Sequence, residues 1–296
     1  MSAPEKVGFV GIGLMGQGMA SNIVTKGHDL TVIAHRNRAP VDDLVAKGAR
    51  EAANLADLAA TCTVIFLCLT GAPEVAAVVG AMKPTLQKGT VIVDCSTSDP
   101  TVSLVLAAEL AALGVDYADA PLGRTPKEAW AGSLDCMVGA TDEVFARIQP
   151  IIATWAGKIV HIGGVGDGHK MKLLNNFLSL GYAALYSEAL ALSRKVGIPV
   201  TTFDQVIRGG RMDCGFYQTF MGYTIDGNRE AHKFTLTNGF KDMRYVEAMA
   251  NAAAMTTPLA SAVKNSFVTA VANGGDGPED YVPHLADFIA RANGAM

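Results

Sequence analysis

The stretch Val7-Gly8-Phe9-Val10-Gly11-Ile12-Gly13-Leu14-Met15-Gly16-Gln17-Gly18-Met19-Ala20 sets the fold expectation for the whole chain. A short apolar run of strand character enters G-x-G-x-x-G and leaves it as a helical pattern of small and apolar residues. In that order, Gly11 permits a tight turn, Gly13 lets backbone approach a bound pyrophosphate, and Gly16 lets the helix pack closely on the strand. The free N–H groups of the helix start then favour an anion. Gly11, Ile12, Gly13, Leu14, Met15 and Gly16 are therefore candidate cofactor-binding residues.

Working outward, apolar runs at 7–10, 30–34, 64–69, 91–94, 115–118 and 159–162 alternate with helical patterns such as Leu14–Thr25, Val41–Lys47 and Val102–Leu113. That alternation predicts a parallel, doubly wound α/β sheet of Rossmann type covered by helices. After Gly163-Gly164-Val165-Gly166-Asp167-Gly168 the pattern changes. His169–Val196 reads as one long helix, and Thr202–Ile207, Gly239–Asn251 and Leu259–Ala272 follow with no convincing alternating strand. The expected organisation is an NAD(P)-binding Rossmann domain at 1–163 and an all-helical substrate and dimerisation domain at 164–296, joined by the long helix.

Composition narrows the function. The 296 residues are 50% hydrophobic and 18% charged with a net charge of −4, and Lys and Arg are scattered, so a nucleic-acid partner is not expected. The start, Met-Ser-Ala-Pro-Glu-Lys-Val, is unlike a signal peptide, and no window holds the roughly 18 uninterrupted apolar residues of a membrane span. A cytoplasmic protein without a membrane partner is expected. The cysteines Cys62, Cys68, Cys95, Cys136 and Cys214 have no ligand spacing and read as buried thiols, and no metal site is expected.

The second strand ends in Ala34-His35-Arg36-Asn37-Arg38. A carboxylate there would hold the ribose 2′-hydroxyl of NAD. Two guanidiniums instead suit a 2′-phosphate, so NADP is the expected cofactor with NAD possible. An arginine simply turned into solvent is the alternative. Leu69, at the end of its strand, joins the expected cofactor set. In Val93-Asp94-Cys95-Ser96-Thr97-Ser98, Ser96 stands where ligands of doubly wound sheets bind. It has two open roles, substrate or cofactor contact and helix N-cap.

In Gly168-His169-Lys170-Met171-Lys172-Leu173-Leu174-Asn175-Asn176, Lys172 and Asn176 are four apart and share one helix face. An ammonium there can protonate the oxygen of a carbonyl that accepts hydride, while the amide orients it. A solvated surface lysine is the competing reading.

Taken together, GFVGIGLMGQGMA, DCSTSDP, ADAPLG, GDGHKMKLLNN and FKDM resemble, in order and spacing, the β-hydroxyacid dehydrogenase family of 3-hydroxyisobutyrate dehydrogenases and the tartronate and succinic semialdehyde reductases. The resemblance implies an NAD(P)-linked interconversion of a small hydroxy acid and its aldehyde. It places the catalytic lysine on Lys172, the substrate-orienting asparagine on Asn176, a substrate-contacting serine on Ser96 and a second lysine, near the nicotinamide, on Lys241. Asp242 is then assigned to structure or to orienting Lys241. The related 6-phosphogluconate dehydrogenases resemble K-x-x-H-N, and Asn175 stands at that histidine position here. Imine reductases usually lack the lysine. Retention of Lys172 and Asn176 also speaks against a non-catalytic NADP-binding protein.

One loop departs from the family. Most members read D-A-P-V-S-G-G, whereas this chain has Asp119-Ala120-Pro121-Leu122-Gly123-Arg124-Thr125-Pro126. The Gly-Arg-Thr is similar to the loop of sulfolactaldehyde reductases, which implies that Gly123, Arg124 and Thr125 bind the substrate and that a guanidinium grips its anionic end. The alternative turns Arg124 toward a domain or subunit contact, and Trp130 either walls the substrate or packs. Arg208, Arg211, Tyr217 and His232 are weaker candidates in the helical half. The expected partner is a small anionic substrate, and the expected assembly a homodimer or homotetramer.

Overall fold

A computed structural model of the chain describes residues 4–296, and these divide into two compact units at Lys172/Leu173. The first unit alternates strands and helices. In chain order they are β1 (Lys6–Val10), α1 (Gly16–Thr25), β2 (Asp29–Val32), α2 (Ala39–Ala46), β3 (Arg50–Glu51), α3 (Leu55–Thr61), β4 (Val64–Leu67), α4 (Ala72–Met82), β5 (Val91–Asp94), α5 (Pro100–Ala111), β6 (Asp116–Asp119), β7 (Leu122–Gly123), α6 (Pro126–Ala131), β8 (Leu134–Gly139), α7 (Asp142–Ile152) and β9 (Ala156–Gly163). Helix α8 (Asp167–Lys195) follows.

The sheet runs β3-β2-β1-β4-β5-β6-β8-β7, with β9 paired to β8. From β3 to β6 all pairings are parallel, and the order turns about β1 and β4, the switch point outside which doubly wound folds bind ligands. Side-chain alternation builds a core on each face. Val7, Phe9, Val64, Phe66, Val91 and Val93 belong to one apolar cluster, and Val10, Ile65, Leu67 and Ile92 to the other. Both faces are covered, so the strands read as continuous apolar runs.

The sheet differs from the sequence expectation in its last third. Leu134–Gly139 is a strand the sequence reading passed over, antiparallel to β6 and β7 and parallel to β9. Its burial alternates over Leu134–Val138, but in Leu-Asp-Cys-Met-Val-Gly the half-buried positions hold one polar and one apolar residue, so neither a clean period of two nor a long apolar run marks it in the sequence. The expected strands 30–34 and 64–69 end at Val32 and Leu67, which leaves Ile33-Ala34 and Cys68-Leu69 in the loops at the carboxyl edge.

The second unit continues α8 and adds α9 (Val200–Ile207), α10 (Gly215–Asp226), α11 (Leu236–Ala252), α12 (Pro258–Ala272), a single 3-10 turn (Val282–His284) and α13 (Leu285–Ala292). Leu180, Ala183, Tyr217, Phe220, Leu236, Met243, Phe267, Val282 and Leu285 form its core. No helix among the described residues is long and apolar enough to cross a membrane, and no group of His, Cys, Asp and Glu among them could hold a metal ion. The thiols split. Cys62, Cys95 and Cys136 are buried and Cys68 is half-buried, but Cys214, expected to be buried, is exposed. It stands at the N-cap of α10, where its sulfur accepts the Tyr217 N–H, a placement set by the helix start.

Candidate active site

The glycine turn has the geometry a dinucleotide requires. Gly11 has φ of +99°, and a Cβ there would collide with the Cys68 carbonyl. A Cβ on Gly16 would collide with the Gly11 carbonyl, so these two glycines let α1 rise directly off β1. Gly13 is different: a Cβ there would meet nothing within 4 Å, so packing within the chain does not demand a glycine at that point. Helix α1 also has no side-chain cap and no acidic residue in its first turn. An open backbone cradle at an uncapped helix start fits a pyrophosphate.

At the end of β2 the two arginines part. Arg38 makes two hydrogen bonds to Glu51, at 2.9 and 2.7 Å, and lies 3.0 Å from Asp42, so its charge is already matched twice. Those carboxylates hold the guanidinium above its ordinary range, and Arg38 in turn holds Glu51 below its own. Arg36 is exposed and pairs with no carboxylate among the described residues.

At the next strand end Ser96 is anchored by its neighbours. Its N–H donates to Asp94 Oδ1 (2.9 Å), and its Oγ accepts from the Leu69 N–H (2.9 Å). Leu69 and Ser96 are thereby brought together, and the hydroxyl proton is left to point elsewhere. Of the two roles open to Ser96, the helix cap is taken by another residue: Asp99 caps α5, accepting the Thr101 N–H at 2.9 Å.

Beneath Ser96 lies a fully buried polar cluster. Asp94 accepts the Tyr117 hydroxyl (3.0 Å), and Asp119 accepts the backbone N–H of Gly166 and of His169, each at 2.6 Å. The Asp119 carboxylate thus closes the first turn of α8, where the helix field favours negative charge. Burial nonetheless pushes its pKa above the ordinary carboxyl value, partly offset by His169 and the two N–H donors. Burial also raises Tyr117 well above the phenol range. Lys172 stands one turn further along α8 and is half-buried.

In the loop after β7 Arg124 has φ of +76°, one of two non-glycine residues among those described with positive φ. This is a backbone position that suits glycine, held here by an arginine. Its Nε lies 3.0 Å from Asp135 Oδ1, and half of its side chain is exposed. Gly123 pairs with Asp135 in the β7–β8 ladder, which puts the ion pair on that hairpin. Thr125 is engaged locally: its N–H donates to Glu128 (3.1 Å) at the start of α6. Trp130 is exposed, with the Lys47 ammonium 5.1 Å from its ring centre.

In the helical unit Asn176 is buried, and its Nδ2 donates to Asp242 Oδ2 at 2.7 Å. Lys241 lies 3.2 Å from the other carboxylate oxygen and 5.6 Å from the Tyr245 ring centre. The amide nitrogen faces Asp242, so the carbonyl end of Asn176 faces away from it. Arg208 and Tyr217 both bond Asp204, and His232 packs edge-on against Phe216. Arg211 is exposed. The sequence reading did not single out Asp94, Asp119 and Asp135. The available signal was a carboxylate ending an otherwise apolar run, as in Val91-Ile92-Val93-Asp94.

Two family models match. Residues 6–163 match the NAD binding domain of 6-phosphogluconate dehydrogenase, and residues 166–284 match the NAD-binding model of NADP-dependent 3-hydroxyisobutyrate dehydrogenase. The chain belongs to the β-hydroxyacid dehydrogenase family. It is 38% identical over 211 residues to 2-(hydroxymethyl)glutarate dehydrogenase of Eubacterium barkeri, covering 70% of this chain and 69% of that one. It is 30% identical over 271 residues to 3-sulfolactaldehyde reductase of Escherichia coli, covering 90% and 91%. The fold matches that of Mycobacterium tuberculosis 3-hydroxyisobutyrate dehydrogenase with a TM-score of 0.84 at 24% identity, over 95% of this chain and 98% of that one. This family member is an oxidoreductase with nicotinamide-dinucleotide-binding domains that acts on a CH–OH group.

Proposed function

We propose that the protein reduces a small aldehyde bearing a strong anion, sulfonate foremost, to its hydroxy acid, with NADP preferred. The observation that carries this reading is Arg124, an arginine kept at φ of +76° in the loop where most of the family has glycine. A left-handed arginine costs about 1–2 kcal/mol, so its guanidinium is the reason for its presence. Overlap along nearly the full length with a sulfolactaldehyde reductase supports the same substrate class. Arg36, whose charge is not matched by a carboxylate as that of Arg38 is, holds the 2′-phosphate.

The bound dinucleotide supplies a hydride, and its pyrophosphate fits Gly11–Gly16. Lys172 delivers the proton to the carbonyl oxygen as negative charge develops there. Ser96, with its hydroxyl proton unclaimed by the chain, donates to the ligand, and Asn176, held by Asp242, orients the substrate. Arg124 exchanges Asp135 for the anion, and Gly123 and Thr125 complete that loop. Lys241 would meet the nicotinamide end of the bound dinucleotide.

A second reading rests on the Arg124–Asp135 pair itself. If that pair persists, the guanidinium is neutralised and the enzyme is a carboxylate-specific reductase of tartronate or succinic semialdehyde type, or a 3-hydroxyisobutyrate dehydrogenase. NADPH and NADH consumption over a panel of sulfonate, phosphate and carboxylate aldehydes separates the two. Turnover confined to carboxylates refutes the sulfonate reading, and no turnover on any of them refutes both.

The protein is read as a cytoplasmic homodimer or homotetramer, with a dinucleotide-binding domain at 1–163 and a substrate and dimerisation domain at 164–296. Leu178, Leu185 and Leu192 on α8, with Val196 just past its end, are each more than half exposed, an apolar surface that association would cover.

A further inference from the structure

His169 has no role in the chemistry above, yet it is fully buried and both ring nitrogens are engaged. Its Nε2 lies 3.1 Å from the Ser96 carbonyl oxygen, and its Nδ1 lies 2.8 Å from the Ser103 hydroxyl on α5. A carbonyl only accepts, so Nε2 carries a proton and donates it. The Ser103 hydroxyl also faces the Asp99 carbonyl at 3.2 Å. Two buried carboxylates flank the ring, Asp94 at 3.8 Å and Asp119 at 3.9 Å.

We infer that His169 is a positioning residue that bolts the Ser96 turn to the first turn of α8, so that one joint fixes both the Ser96 hydroxyl and Lys172. Each polar group of Ser96 then has a separate anchor: Asp94 for the N–H, Leu69 for Oγ and His169 for the carbonyl. The His169 backbone is in turn held by Asp119, and Lys172 follows three residues later on the same helix. Loss of the imidazole leaves the buried Ser96 carbonyl without its donor. A buried acceptor in that state draws in water or moves, and either loosens the turn. A displacement of about 1 Å at a reacting group costs about 100-fold in rate, so the joint controls turnover without touching substrate.

The inference rests on the proposed reductase chemistry for its kinetic consequence, but not for its structural one. Two substitutions divide the imidazole. His169→Gln keeps an amide nitrogen near the Nε2 position and the bond to Ser96, whereas His169→Asn keeps only the Nδ1 side and the bond to Ser103. Hydrogen exchange of residues 96–98 and 170–172, read by mass spectrometry with NADPH absent, should rise about ten-fold in His169→Asn and stay within about two-fold of wild type in His169→Gln. On an aldehyde the wild type reduces, kcat should fall about 30-fold in the Asn variant and be restored to within about five-fold in the Gln variant, with KM in both within about three-fold of wild type.

Equal exchange in the two variants overturns the inference, as does loss through KM with kcat intact. Ser103→Ala, which leaves the Ser96 bond in place, should behave as the Gln variant. Behaviour like the Asn variant would place the anchor on α5 and also overturn it. A wild-type protein that reduces no aldehyde would refute the proposed function while the exchange contrast still decides the role of His169.

Discussion

Arg124→Gly separates what the residue does for the fold from what it does for a ligand. With φ at +76°, replacing the arginine relieves about 1–2 kcal/mol of left-handed strain. Against this, glycine adds about 0.5–1 kcal/mol of backbone entropy to the unfolded chain. Loss of the half-exposed pair with Asp135 subtracts up to about 1 kcal/mol more, and less in salt. The three terms nearly cancel, so the melting temperature should move by less than about 3 °C. Binding has no such compensation. Losing charge-assisted hydrogen bonds to a sulfonate costs about 2–3 kcal/mol, equivalent to about 30- to 150-fold in kcat/KM. The orphaned Asp135 carboxylate would repel the anion further. Steady-state NADPH oxidation on sulfonate and carboxylate aldehydes, with calorimetry on the same samples, reads both quantities. The reasoning is refuted if kcat/KM stays within about three-fold on every anion, or if melting falls by more than about 8 °C, which would make Arg124 a structural tie.

Lys172→Met should lower turnover at least about 100-fold while NADPH affinity, followed by fluorescence, stays within about two-fold; near-normal turnover removes this lysine from the chemistry. Arg36→Ala should raise KM for NADPH about ten-fold and leave NADH unaffected, with Arg38→Ala nearly silent because Glu51 and Asp42 already occupy that side chain. The opposite ranking moves the 2′-phosphate to Arg38. Glu5 is held below its ordinary carboxyl value chiefly by its hydrogen bond to Arg147. Its contribution is therefore present above the unfolded carboxyl pKa and disappears as pH falls through the lower, folded one. Urea midpoints of Glu5→Gln should lie below wild type at about pH 7 and converge with it in acid; a constant gap at all pH values contradicts the ion pair as its source. Sedimentation at about micromolar concentration should show a dimer or tetramer, and monomer alone would contradict association through the helical unit.

Much of this molecule was legible one residue at a time. The glycine turn, the parallel strands and the long helix carrying Lys172 and Asn176 follow from local patterns, because the spacing of glycines, a short apolar run and a period of 3.6 are properties of neighbouring residues. Strand β8 escaped because its identity depends on β6, β7 and β9 rather than on its own residues. Cys214 escaped for a related reason: a thiol without ligand spacing reads as core until the start of α10 turns it outward to cap.

The site divides along the same line. Sequence alone determined which chemical groups are present: an ammonium and an amide on one helix face, a serine at a strand end, two arginines after β2 and an arginine in the loop after β7. Tertiary structure decided what each is free to do. Arg38 is claimed by Glu51, 13 residues away. Asn176 is oriented by Asp242, 66 residues away. Ser96 is anchored by His169, 73 residues away, while Asp99 takes the helix cap. A polar group buried in a protein must find a partner, but its choice among chemically equivalent partners is set by strand register and helix crossing, which no local stretch of sequence encodes.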